Sequence, residues 1–244
     1  MAMMISPEVL TKLRQYDTPT ICNVIELFEV RPRHSGYLDS RIRACFPHLP
    51  PMVGFASTAT FRSASPPAQG EIYSSLLDQV ASFAQFPGPV VVVFQDLDDP
   101  PVGATFGEVM CATYKALGAV GLITSGAGRD LDQVEALQFP CFTGGTICSH
   151  AYCHIVAINV PVRVGGVVIR PGDLLHGDRN GVTTIPLEIA AELAEACEEF
   201  VAAEQVVLDY VKSGRVDQDG FARAFRESRE RIEALRRRLS RKLA

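Results

Sequence analysis

A chain of 244 residues with 47% hydrophobic side chains can bury the core of one large domain, and its net charge of −5 argues against broad binding to nucleic acid. No run reaches the roughly 20 apolar residues of a membrane-spanning helix. The opening MAMMISPEVL lacks the basic-then-apolar pattern of a secretion signal, so a cytoplasmic protein is expected, and seven cysteines without scaffold spacing read as reduced thiols.

Ser6-Pro7 and Thr18-Pro19 both predict helix starts, a capping side chain followed by proline in the first turn. Ile21, Val24, Ile25 and Phe28 then share one helical face. Residues 31–52, rich in Pro, Arg and Gly, predict a surface excursion carrying Arg31, Arg33, Arg41 and Arg43. Gly54–Phe61 alternates like a strand, Glu71–Phe83 reads as a helix, and the continuous PVVVVFQ of 89–95 is a strand buried on both faces. Asp96, Asp98 and Asp99 follow it and read as an acidic loop rather than metal ligands.

Residues 103–130, GATFGEVMCATYKALGAVGLITSGAGRD, are the chemically informative stretch. Gly107 opens a helix to about Leu117, with Gly118 as its left-handed stop. Ala119–Thr124 is a short buried strand closed by a flexible Ser125–Gly128, after which come Arg129 and Asp130. A loop–helix–strand order suggests an α/β unit, and open α/β sheets bind ligands outside their strand ends. Two readings stay open. Arg129–Asp130 is a turn in which Asp130 caps the helix from Leu131, or the pair faces the amides of Gly107–Met110 and completes an anion site with Glu108.

Cys141–Thr143 is a further short strand. Residues 154–185 then predict a compact antiparallel piece beside the α/β units, with turns at Gly165-Gly166, Pro171–Asp173 and Arg179–Gly181. Pro186 starts a long helix to about Lys212, and a last helix, about Asp219–Leu243, carries Phe225, Ile232, Leu235 and Leu239 on one stripe. From Phe221 to Ala244 nine basic residues face three acidic ones, leaving −11 for the preceding 220. The apolar stripe and interspersed glutamates favour a helical arm packed on another subunit over phosphate contacts.

Cys148, His150, Cys153 and His154 are zinc-ligand types, but their spacing fits no standard site, so hydrogen-bonded histidines at a strand entry are expected. There is no GxSxG, GxxxxGK[ST] or GxGxxG, which argues against serine-hydrolase, P-loop and dinucleotide chemistry.

Glu108, twenty intervening residues and Arg129-Asp130, followed in order by Phe139-Pro140, Asn159–Val162, Gly165-Gly166, Pro171–Leu174, Gly177-Asp178, Gly181-Val182 and Ile185-Pro186, resemble the RraA-like family. That family includes the 4-hydroxy-4-methyl-2-oxoglutarate/4-carboxy-4-hydroxy-2-oxoadipate aldolases and a ribonuclease E inhibitor. The resemblance implies an α/β fold, an α/β/α sandwich with a swivelling β/β/α-type core, here spanning 1–216, with a C-terminal helical extension at 217–244. It implies homotrimers or hexamers with sites between subunits. It also implies that Asp130 ligates Mg²⁺ or Mn²⁺, Arg129 contacts substrate oxygens, and the amides of Gly107, Glu108, Val109 and Met110 hold a carboxylate. Glu108 then supports metal-bound water, and a neighbour's Glu204, or else Glu199, completes the shell. The family's frequent acidic residue three places after the aspartate is Gln133 here. The implied activity is a class II aldolase or 2-oxo-acid lyase with a small 2-oxo acid as its partner. A non-enzymatic regulator binding a protein such as a ribonuclease is the alternative.

Overall fold

In the computed structural model, which describes residues 5–70 and 75–241, helices α1 (Pro7–Leu13) and α2 (Thr18–Phe28) begin where the two Ser/Thr-Pro pairs predict. Ser6 caps α1 by accepting the Val9 amide at 3.4 Å, but Thr18 does something else. Its amide donates to Asp178 and its hydroxyl meets Nδ1 of the buried His176. Strand β1 (Arg43–Ala44) follows, then β2 (Met52–Arg62), α3 (Leu76–Ser82) and β3 (Val90–Asp96). Residues 71–74 of the expected 71–83 helix lie outside the described residues. Next come β4 (Ala104–Phe106), α4 (Glu108–Ala116), β5 (Ala119–Thr124), β6 (Ala127–Gly128), α5 (Leu131–Ala136), β7 (Cys141–Thr143) and β8 (Gly145–Thr146). The chain continues through β9 (His154–Ile158), β10 (Val162–Val164), β11 (Val167–Ile169), β12 (Leu174–Asp178) and β13 (Gly181–Ile185) to α6 (Ala190–Lys212) and α7 (Gln218–Leu239).

Eight strands make one mixed sheet in the order β1-β7-β5-β3-β2-β12-β13, with β9 also on β2. β2, β3, β5 and β7 run parallel. The 11-residue β2 is long enough to pair with β12 along Met52–Phe55 and with β9 along Ala59–Arg62, both antiparallel. The 154–185 segment is therefore not a separate piece: β9, β12 and β13 complete the main sheet, and only the β10–β11 hairpin stands apart.

Period-two alternation sorts the core. Val90, Val92 and Phe94 of β3 pack with Met110, Cys111 and Tyr114 of α4, Val134 of α5 and Leu122 of β5. Val91 and Val93 face the opposite way, into Val162, Val164 and Ile169 of the β10–β11 hairpin. This is the expected β/β/α layering of an α/β fold. The 31–52 stretch is less exposed than expected: Leu38 and Ile42 join the hairpin-side core, Phe46 and Leu49 the helix-side core.

The chain divides into two units, the described residues of Met1–Thr18 with Gly36–Leu187, and those of Pro19–Ser35 with Glu188–Ala244. The boundary expected at residue 216 falls inside the second unit. There α7 buries Ala224, Ser228, Leu235 and Leu239, while Phe225 of the expected stripe stays 48% exposed. Arg238 bonds to Glu199 and Arg241 to Glu192 of α6, and Arg236 pairs with Glu29. Thus the basic arm, expected on another subunit, packs on its own chain and commits these three arginines to glutamates. The α-helix α6 starts after a 3₁₀ turn, Leu187–Ile189, rather than at Pro186.

Candidate functional site

Two short parallel strands explain how residues 22 apart in sequence meet. β4 pairs with β6, Ala104 opposite Ala127 and Phe106 opposite Gly128, and the Arg129 amide extends the ladder to the Phe106 carbonyl at 3.1 Å. Because the pairing is parallel, both carboxyl ends leave on one edge. β4 runs into Gly107 and α4; β6 runs into Arg129 and Asp130. The segment expected to be a flexible closure after β5 is thus partly a strand, and it delivers the pair. The Thr105 hydroxyl, 2.9 Å from both the Thr124 hydroxyl and the Ala127 carbonyl, ties the two sheets together.

Asp130 separates its backbone from its side chain. Its carbonyl accepts the Val134 amide and starts α5, yet its carboxylate makes no cap bond there. Oδ2 instead accepts the Glu108 amide at 3.0 Å, closing the first turn of α4, and lies 3.7 Å from Arg129 Nε. This rejects the reading in which the Asp130 side chain caps the helix at Leu131. The residue adopts φ 55°, ψ 40°, a left-handed conformation that costs a non-glycine residue about 1 kcal/mol or more. Gly107 is required by proximity: a Cβ there would sit 2.5 Å from Asp130 Oδ2 and 3.1 Å from Arg129 Nε.

These groups border a cavity of about 330 Å³ lined by Gly107, Glu108, Val109, Met110, Arg129 and Asp130, all expected, together with Phe61, Leu76, Ala104, Thr105, Phe106, His150 and Cys153. The Arg129 and Asp130 side chains are 30% and 37% exposed, and Glu108 is exposed, whereas Phe61, Phe106 and Cys153 are buried. The charged groups therefore mark the mouth and the apolar ones the interior. Glu204 lies exposed on α6 of the other unit, and the second choice, Glu199, carries the Arg238 ion pair.

Sequence reasoning missed the apolar wall and His150, whose only signal was its place among Cys148, Cys153 and His154. Both histidines are hydrogen-bonded as expected, His150 Nδ1 at 2.8 Å from the Ala151 carbonyl and His154 Nδ1 at 2.8 Å from that of Tyr152. Among the described residues no three His, Cys, Asp or Glu side chains form a metal-holding group. Asp98 accepts the Ser63 and Ala64 amides, and burial pushes the Asp96 carboxyl up to about 6. Asp98 is thus committed to the backbone of its own loop, while Asp96 Oδ1 accepts the Asp98 amide and its Oδ2 is buried without a hydrogen-bond partner. Burial likewise pushes the Cys45 thiol up to about 12, which makes it a poor nucleophile. No helix of the described residues is long and apolar enough to cross a membrane.

A hard carboxylate at a water-accessible mouth, with no further clustered ligands, suits an ion such as Mg²⁺ that keeps several waters and takes one or two carboxylates. Of the residues lining this cavity, the partly exposed Asp130 carboxylate could donate to such a hydrated ion.

The RraA-like family model, Aldolase/RraA, matches residues 18–184. A Halalkalibacterium halodurans protein named "Putative 4-hydroxy-4-methyl-2-oxoglutarate aldolase" is 42% identical over 107 residues, 43% of this chain and 50% of that one. The matched stretch spans about half or less of the curated relatives' length. A crystal structure described as novel cellulases from gut-associated microbes superposes with TM-score 0.71 at 25% identity, covering 84% of this chain and 89% of that chain. Streptomyces coelicolor RraAS2, described as an unusual member of the RNase ES inhibitor RraA protein family, gives TM-score 0.67 at 23% identity over 84% and 98% of the two chains. From the β4–β6 edge that gathers Arg129 and Asp130 to the model matched over 18–184, the findings agree that this chain belongs to the RraA-like family.

Proposed function

We propose that the chain is a divalent-metal-dependent carbon–carbon lyase that cleaves a 4-hydroxy-2-oxo acid, or decarboxylates an oxaloacetate-like acid, and releases pyruvate. The observation that carries this is the convergence of the Arg129 guanidinium, the Asp130 carboxylate and the start of α4 on one cavity. The aldolase name of the H. halodurans relative supports the same reaction class. Asp130 would hold Mg²⁺ or Mn²⁺, which supplies Lewis-acid polarisation of a keto oxygen when bound.

The chain's own groups do the rest. In the first turn of α4 the Glu108 amide already donates to Asp130 Oδ2, so the Val109 and Met110 amides receive the substrate carboxylate, their N–H groups pointing out of the helix start. Arg129 stabilises the oxygen that becomes anionic as the enolate forms, the kind of interaction that supplies most of such a barrier reduction. Glu108 at the mouth accepts the proton leaving the 4-hydroxyl and returns one to C3 of the enolate. Glu204 of an adjoining copy, in a trimer or hexamer, serves the same proton path.

The test is pyruvate release from 4-hydroxy-2-oxo acids and oxaloacetate, with Mg²⁺ and with EDTA. Arg129→Ala should lower kcat by roughly 10²–10³, and Asp130→Ala should abolish the metal response. Wild-type rates in both variants would retire the assignment. The regulator alternative predicts no turnover on any 2-oxo acid and a protein partner retained by Asp130→Ala.

A further inference from the structure

Only one cation lines the cavity among the described residues, Arg129. Behind it the wall is hydrocarbon and sulfur: Phe61 at 1% exposure, Phe106 at 2%, Cys153 at 3% and Met110 at 8%, with the partly buried Leu76 beside them. Two polar points interrupt this wall, and both are turned to the protein: His150 Nδ1 meets the Ala151 carbonyl, and the buried Thr105 hydroxyl bonds to the Thr124 hydroxyl and the Ala127 carbonyl. A carboxylate buried against such a wall needs a charged or multiply hydrogen-bonding partner, and without one its desolvation is prohibitive. An alkyl or aryl group meets no such cost. It gains about fourfold in affinity for each methylene removed from water.

We infer that the substrate carries a single carboxylate, and that the group on its C4 is apolar rather than a second acid. The inference rests on the lyase reading and narrows it, excluding oxaloacetate and the 4-carboxylated acids as preferred substrates. The reaction balances without a further reagent. In R–CH(OH)–CH₂–CO–COO⁻ the hydroxyl proton leaves to a base, the C3–C4 bond breaks, and its electron pair becomes the enolate over C2 and C3. R–CHO departs, and the enolate takes a proton at C3 to give pyruvate. The carboxylate end is held at the charged mouth, which directs R into the apolar interior. At about 330 Å³ the cavity is at the small end of ligand sites, so R is a short alkyl chain or one ring.

The experiment compares kcat/KM, with Mg²⁺ present, for 4-hydroxy-2-oxo acids whose C4 bears methyl, ethyl, propyl, phenyl or carboxylate. The expected result is a rise of about fourfold per methylene from methyl to propyl, with the carboxylated compound at least about tenfold below methyl. Leu76→Arg, which adds a cation to the wall from a partly buried position, should raise the carboxylated substrate and lower the propyl one. A parallel measurement uses non-cleaved ligands: the Kd of 2-oxohexanoate against that of 2-oxoglutarate. Tighter 2-oxohexanoate binding without cleavage of any acid upholds the apolar site and retires the lyase. Cleavage with the carboxylated acid preferred upholds the lyase and overturns this inference. So does tighter binding of 2-oxoglutarate, or no binding of either ligand at millimolar concentration.

Discussion

Replacing Gly107 by alanine tests the geometry of the site with one carbon atom. The backbone there is extended, φ −158°, so alanine adopts it without strain and any effect comes from the new methyl group. That methyl would lie 2.5 Å from Asp130 Oδ2, where ordinary contact begins at 3.4 Å, so the oxygen must retreat by about 0.9 Å. A shift of that size breaks the 3.0 Å bond to the Glu108 amide and turns the carboxylate away from the cavity mouth. Misplacing a reacting group by about 1 Å costs on the order of 10²-fold in rate, while loss of the helix cap costs about 1 kcal/mol of stability. Pyruvate release should therefore fall about a hundredfold in Gly107→Ala, with only a modest drop in Tm. Because the main change acts through one carboxylate, Gly107→Ala added to Asp130→Ala should lower the rate far less than it does alone, the remainder coming from the 3.1 Å approach to Arg129 Nε. A Gly107→Ala enzyme at the wild-type rate would refute the argument.

Three other outcomes follow from described contacts. Burial holds the His176 ring neutral, its folded pKa lowered from 6.5, with its nitrogens facing the Thr18 hydroxyl and the Leu13 carbonyl. The unfolded chain therefore binds the extra proton first. Stability should be full above pH 6.5 and decline as pH falls below it, a slope that urea titrations should find flattened in His176→Gln. The Tyr114 hydroxyl donates to the buried Gln79 Oε1, so Tyr114→Phe should lose about 1–3 kcal/mol in chemical denaturation. Mg²⁺ should raise Tm in a concentration-dependent way in the wild-type protein and leave Asp130→Ala unmoved, because only a native-state site shifts the unfolding equilibrium.

The parallel strands were legible because their residues announce them: PVVVVFQ has the unbroken β-branched run of a strand covered on both faces, and it forms β3. The helix from Gly107 and its stop at Gly118, φ 97°, were equally plain. What escaped was partnership. The turn at Arg179–Gly181 specifies the β12–β13 hairpin but says nothing about which sheet edge β12 will join, and that edge is the first four residues of β2. The same holds at the site. Arg129 and Asp130 could be singled out, yet the pairing of two- and three-residue strands that unites them with Gly107 leaves no periodicity to detect. The apolar wall was illegible for a similar reason, since Phe61, Leu76 and Cys153 come from elements separated in sequence and meet only through the fold. The arm was legible as a packed helix but its place was not, because an apolar stripe and a basic run look the same whether they meet another subunit or, as with Glu192, Glu199 and Glu29, the chain itself.

One oxygen atom, Asp130 Oδ2, terminates a helix and borders the cavity at once. Whatever draws that atom away strips the Glu108 N–H of its acceptor, and an incoming acid group is the natural replacement. Two arrivals at this spot are for that reason not independent events: the first prepares an unanswered donor, and the second answers it.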